Sequence, residues 1–168
     1  MNVLLVDGYN IIGAWPELTQ LKSRDLAAAR DRLVDQLAEY QAFTGWRVIV
    51  IFDAYLVPGA EYKTRQSKVE VIFTRENETA DERIEKLVKE LKNVRTTVYV
   101  ATSDYAEQQT IFSQGALRKS ARELYLDIQN INQQITATLN IHKNKQKKSS
   151  IFIDEELTKL FEIWRRGK

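Results

Sequence analysis

Three stretches rich in apolar residues lead into an acid. Residues 3–6 (VLLV) stop at Asp7, residues 46–52 (WRVIVIF) at Asp53, and residues 96–101 (TTVYVA) at Thr102-Ser103-Asp104. Such stretches read as strands buried on both faces, as a parallel sheet demands. In an open parallel sheet the carboxyl ends of the strands share one edge, and ligands bind there. Asp7, Asp53 and Asp104 are therefore expected to gather in one crevice. Taken alone, Asp104 also reads as a helix cap and Asp53 as a turn former. Asp7, pinned between VLLV and Gly8, has the weakest plain explanation. Gly8 permits a sharp turn, and Asn10 adds a polar group close by.

Helix geometry selects a fourth acid from residues 76–82 (ENETADE). Thr79 and Glu82 have the spacing of a capping box, and Ile84, Leu87, Val88 and Leu91 form the apolar stripe of the helix that follows. At about 100° per residue, Asp81 lies roughly 70° from the centre of that stripe and Glu82 roughly 170° from it. Asp81 thus leans toward the sheet and Glu82 toward solvent. Glu78 precedes the helix.

Clustered carboxylates raise one another's pKa and call for a cation. Oxygen-only ligands suit Mg²⁺ or Mn²⁺. Ions held in this way serve phosphodiester hydrolysis, with Thr102 and Ser103 placed to hold a water or a phosphate. The chain has no cysteine and a single histidine, His142, in a lysine-rich stretch. Thiol catalysis, disulfides and multi-histidine metal sites are excluded, and a serine–histidine triad is disfavoured.

The formal net charge of +2 is unevenly spread. Basic residues cluster at Lys63, Arg65 and Lys68; at Arg118, Lys119 and Arg122; at Lys143, Lys145, Lys147 and Lys148; and at Arg165, Arg166 and Lys168. Each cluster alone reads as solvated surface, but together they suit an anionic partner met on particular faces. The first two are expected to bind a phosphate backbone beside the crevice, and the 143–148 lysines a larger anionic partner. No apolar run reaches the roughly 20 residues that span a bilayer, and no basic segment opens a signal peptide. A cytoplasmic protein of one domain, residues 1–168, is expected.

Several elements must position these residues. Residues 11–22 read as a loop containing Trp15-Pro16. A helix capped by Ser23 carries Leu26, Ala29, Leu33, Leu37 and Tyr40 and ends at Gly45. Residues 54–68 read as a loop and 69–73 as a short strand. Asp104 and Glu107 cap a short helix reaching Phe112. A long helix with Leu117, Ala121, Leu124, Ile128, Ile131 and Ile135 on one face follows Gly115. Residues 140–150 read as an exposed loop, 151–153 as a strand, and a last helix carries Leu157, Leu160, Phe161 and Trp164. Strands alternating with helices argue an α/β sandwich with a mostly parallel sheet. No glycine-rich phosphate loop is present.

The segments VDGYN, FDAY, ETADERIE, and VATSD with GALRKSARELYLDI resemble the NYN domain, most closely its bacterial YacP-like branch, over essentially the whole chain. The resemblance implies a PIN-like three-layer α/β/α fold and a metal-dependent endoribonuclease. It implies that Asp7, Asp53, Asp81 and Asp104 form the acidic metal site, with Asn10 beside the first acid. It also implies mRNA decay on the ribosome, so that Lys63, Arg65, Lys68, Arg118, Lys119 and Arg122 would meet an RNA backbone and the 143–148 lysines a partner such as ribosomal RNA. Two other readings compete: a receiver-like phosphotransfer domain, and a catalytically silent RNA-binding module.

Overall fold

In the computed structural model, which describes residues 1–54, 62–66 and 68–166, β1 (Asn2–Asp7) lies inside a six-stranded sheet. The other strands are β2 (Arg47–Phe52), β3 (Tyr62–Gln66), β4 (Val69–Phe73), β5 (Thr97–Ala101) and β6 (Leu117–Lys119). Their order is β3-β4-β2-β1-β5-β6, parallel except for β3. From β1 the chain builds outward to β2 and β4, then returns to lay β5 and β6 on the other side. β1 and β5 therefore flank the switch point, where a crevice opens at the carboxyl ends of parallel strands.

The sheet is sandwiched. α1 (Gly8–Ala14), α2 (Pro16–Arg24) and α3 (Leu26–Thr44) connect β1 to β2, and α1 and α3 pack on the sheet. α4 (Ala80–Leu91) joins β4 to β5, and α5 (Tyr105–Ser113) joins β5 to β6. Val3 and Leu5, Ile49 and Ile51, and Val98 and Val100 form one core with Ile84 and Val88 of α4 and Ile111 of α5. Strand side chains alternate between faces. Asp7, two residues beyond Leu5, consequently belongs to the face covered by α4 and α5. That parity decides which acids it meets.

The α/β sandwich and its parallel sheet are as expected, but several segments differ. Residues 11–22 are helical: Asp7 stands at the N-cap of α1 and Pro16 opens α2, where proline's missing N–H costs nothing. α3 is capped by Asp25, whose carboxylate accepts from the Ala28 N–H at 3.2 Å, and not by Ser23. Gly45 ends it with φ +73°, as expected. Within residues 54–68, expected as loop, Tyr62–Gln66 forms the antiparallel edge strand; residues 55–61 and 67 lie outside the described residues. Leu117 belongs to β6, and α6 (Ala121–Arg166) begins only after Ser120, whose hydroxyl accepts from the Glu123 N–H. Residues 140–150 and 151–153 are helix within α6, neither loop nor strand. No glycine or proline stands between Gly115 and Gly167, and Lys, Gln and Leu favour helix. Met1–Gln129 form one unit, with the sheet, and Asn130–Lys168 a second, helical one.

Candidate metal centre

Each acid in the crevice is carried by an element anchored in the core. Asp7 ends β1 and is buried. Asp81 lies in the first turn of α4, three residues before fully buried Ile84. Glu107 lies in the first turn of α5, four residues before fully buried Ile111. Residues three or four apart share a helix face, so the packing that buries the isoleucines aims both acids at Asp7. One oxygen each of Asp7, Asp81 and Glu107 lie within 4.8 Å of one another.

The expected set is thus brought together in part, with one member it lacked. Asp53 and Asp104 stand at the rim. Both charges act on Asp81, and that of Asp104 also acts on Asp7. Asp104 is exposed and caps α5, one carboxylate oxygen accepting from the Ala106 and Glu107 N–H groups at 3.0 and 3.3 Å. Glu107 carries a sequence signal in its i, i+4 spacing to Ile111, but the capping role expected of it does not point to the crevice.

The electrostatics follow from crowding and burial. Burial pushes the Asp7 carboxyl up to about 6, and the Asp81 and Asp104 charges add to it, against hydrogen bonds from Glu107 and the Asn10 backbone. Asp81 is raised by burial and by the charges of Asp104, Asp53 and Glu82. Glu107 is raised most, by burial and by the charges of Asp7 and Asp81. Glu107 Oε2 accepts from the Thr102 hydroxyl at 2.9 Å. Among the described residues no hydrogen-bond donor reaches its buried Oε1. A proton shared with Asp7, or a cation, satisfies that oxygen. Three carboxylates in reach of one point, an orphaned buried oxygen, and a triad without nitrogen or sulfur fit a hard divalent cation.

The surrounding residues hold this geometry. Thr102 is fully buried; its hydroxyl also accepts from the Asp104 N–H at 3.1 Å, and its carbonyl accepts from Gln108 Nε2 at 2.7 Å. It therefore orients Glu107, where the sequence suggested a water or phosphate contact. The Ser103 N–H and hydroxyl donate to Asn10 Oδ1 at 2.6 and 2.8 Å, tying the loop after β5 to α1. A side chain on Gly8 would collide with the Phe52 ring, so glycine is required beside Asp7. Fully buried Thr74 donates to the Glu78 carbonyl at 2.8 Å and accepts from the Ala54 N–H at 3.0 Å, joining the end of β2 to the approach to α4. Glu78 binds Arg83 through two bonds of 2.8 Å, both side chains nearly inaccessible. Neither Thr74 nor the Glu78–Arg83 pair was expected from sequence.

Glu82 is exposed as expected, and its N–H donates to the Thr79 hydroxyl at 3.2 Å. Glu82→Gln is expected to cost under about 1 kcal/mol and to leave activity near wild type. Urea midpoints and cleavage rates beside Asp81→Asn check this; an equal loss in the two variants means that the wrong helix face was chosen.

Of the basic residues expected beside the crevice, Lys68 is placed elsewhere. Gln66 pairs with Val69 and Tyr62 with Phe73, so the β3–β4 turn carries Lys68 to the amino-end edge of the parallel strands. That is the edge opposite Asp7, not the crevice mouth. The side chains of Lys63 and Arg65 lie outside the described residues. Lys119 is paired with Asp127 and sits 5.7 Å from the Trp46 ring centroid. Arg118 and Arg122 are exposed.

An acidic triad at the switch point of a parallel α/β sheet is compatible with a protein of the PIN-like nuclease class. The chain belongs to the YacP-like NYN domain family, matched over residues 4–166. It is similar to the uncharacterized protein YacP of Bacillus subtilis (strain 168), with 55% identity over 167 residues, 99% of this chain and 98% of that one. The crystal structure of Rae1 (YacP) from Bacillus subtilis superposes with a TM-score of 0.77 at 55% identity, over 99% of this chain and 96% of that one. Its W164L mutant gives 0.78 at 53% identity, over 86% and 85%. Family membership removes the receiver-like alternative. Among the described residues no helix is long and apolar enough to cross a membrane.

Proposed function

We propose that this protein is a metal-dependent endoribonuclease that cleaves RNA phosphodiester bonds. The carrying observation is the Asp7–Asp81–Glu107 triad, its oxygens within 4.8 Å of one another, in a chain of a nuclease family. Asp7, Asp81 and Glu107 hold Mg²⁺ or Mn²⁺, and Asp53 and Asp104 extend the acidic site at its rim. Held by these residues, such an ion would supply neutralisation of phosphate oxygens and a more acidic water. Thr102 keeps Glu107 aimed at the site, and Asn10, through Ser103, keeps the β5 loop against α1. Arg118 and Arg122 meet the RNA backbone. The substrate is mRNA, engaged with the ribosome in the cytoplasm, as the resemblance of the chain implies.

The test is purified full-length protein with labelled single-stranded RNA in Mg²⁺, Mn²⁺ or EDTA, alone and with translating ribosomes. Internal cleavage in either ion, abolished by EDTA, is expected. RNA bound but left intact under every condition leaves the silent RNA-binding module as the better reading.

A further inference from the structure

α5 has two working faces. Glu107, Gln108 and Ile111 are buried on the inner one. Tyr105, Gln109 and Phe112, at i, i+4 and i+7, run along the outer one. Tyr105 and Phe112 are each 70% exposed. Gln109 Nε2 donates to the Tyr105 hydroxyl at 2.8 Å, which orients the phenol. Beside this stripe lies the edge strand β6, where Leu117 and Arg118 are exposed. Together they line an open groove of about 670 Å³.

We propose that this groove is a stacking platform for single-stranded RNA, taking the nucleotides that flank the scissile phosphate. The proposal rests on the nuclease reading and names how that site holds its substrate. Three observations favour RNA. The groove is built on the helix that carries the acid Glu107: Tyr105 directly follows the cap Asp104, whose carboxylate accepts from the Glu107 N–H. Its chemistry is aromatic faces beside a guanidinium, which is what bases and phosphates together require. Among the described residues no acid lines it, so Arg118 leaves it positive. Tyr105 and Phe112 stand roughly 10 Å apart along the helix, enough for a base on each ring. Large exposed aromatic side chains grouped along one groove mark a binding surface.

The test uses the full-length chain with catalysis blocked by Asp7→Asn, and a labelled single-stranded RNA of about a dozen nucleotides, long enough to reach beyond the crevice. Tyr105→Ala and Phe112→Ala are each expected to weaken binding about tenfold without changing its salt dependence. Arg118→Ala is expected to lower the salt slope by about 0.7. Tyr105→Phe and Phe112→Tyr should bind like the parent, whereas leucine at either position should not restore affinity. In the catalytically intact chain, Tyr105→Ala/Phe112→Ala should raise KM and leave kcat unchanged. Parental RNA affinity in the double alanine variant, or full restoration by leucine, overturns the stacking platform. If the catalytically intact wild type leaves RNA uncut, the nuclease reading fails; the binding comparison still decides the groove.

Discussion

Asp7→Asn is expected to lower RNA cleavage by at least about 100-fold while the fold persists. Asp7 faces Asp81 and Glu107 in a crevice where burial and like charges oppose ionisation. The amide keeps the shape and the hydrogen bond from the Asn10 backbone, but removes a charge that a divalent cation needs. In EDTA the variant should therefore be the more stable protein by about 1 kcal/mol, a Tm rise of about 2–4 °C for a chain of this size. On adding Mn²⁺ the order should reverse, because wild type gains binding energy that the variant lacks. Single-turnover cleavage and melting curves with and without Mn²⁺ measure both effects. Wild-type cleavage by Asp7→Asn would remove this residue from the site.

Arg83→Ala is expected to cost about 3 kcal/mol or more, since it strands the Glu78 carboxylate in the interior. The guanidinium grips both Glu78 oxygens at 2.8 Å, and Lys86 adds a longer contact of 3.4 Å from the surface. Bonding to Arg83 holds the Glu78 carboxyl down to about 2, against the opposing effect of burial. A depressed carboxyl contributes stability that is complete above its ordinary value of 4.5 and fades as pH falls from there through about 2. Wild type should therefore lose this contribution below about pH 4.5, and Glu78→Gln/Arg83→Met should flatten the acid limb. The pair lies between Thr74 and the first turn of α4, so Arg83→Ala should also displace Asp81 and raise the Mn²⁺ requirement for cleavage. Urea unfolding at pH 7 and pH 3, with Mn²⁺ titrations, tests this. An Arg83→Ala protein as stable as wild type would mean that water satisfies Glu78.

How much of this was legible without coordinates depended on the range of the forces involved. The apolar runs before Asp7, Asp53 and Asp104 identified three parallel strands and the edge on which chemistry gathers, because burial on both faces leaves its mark within each run. The Thr79 cap and the outward turn of Glu82 were equally local, set by neighbours within one helical turn. So was the choice of Asp81, since Ile84 and Val88 define the face on which it lies. Family motifs were readable for the same reason.

Tertiary structure decided what no local pattern encodes. Glu107 joins Asp7 because α5 covers the same sheet face as α4, which follows from the strand order about β1. Asp53 and Asp104 end their strands as expected, yet stand at the rim around Asp7, Asp81 and Glu107. Lys68 left the crevice because β3 turns back antiparallel, a pairing between edges that charge spacing does not report. The Glu78–Arg83 pair joins a loop to a helix face, and polar residues carry no periodic mark of burial. Long-range register fixes such distances; periodicity in the chain fixes only which face each residue offers to them.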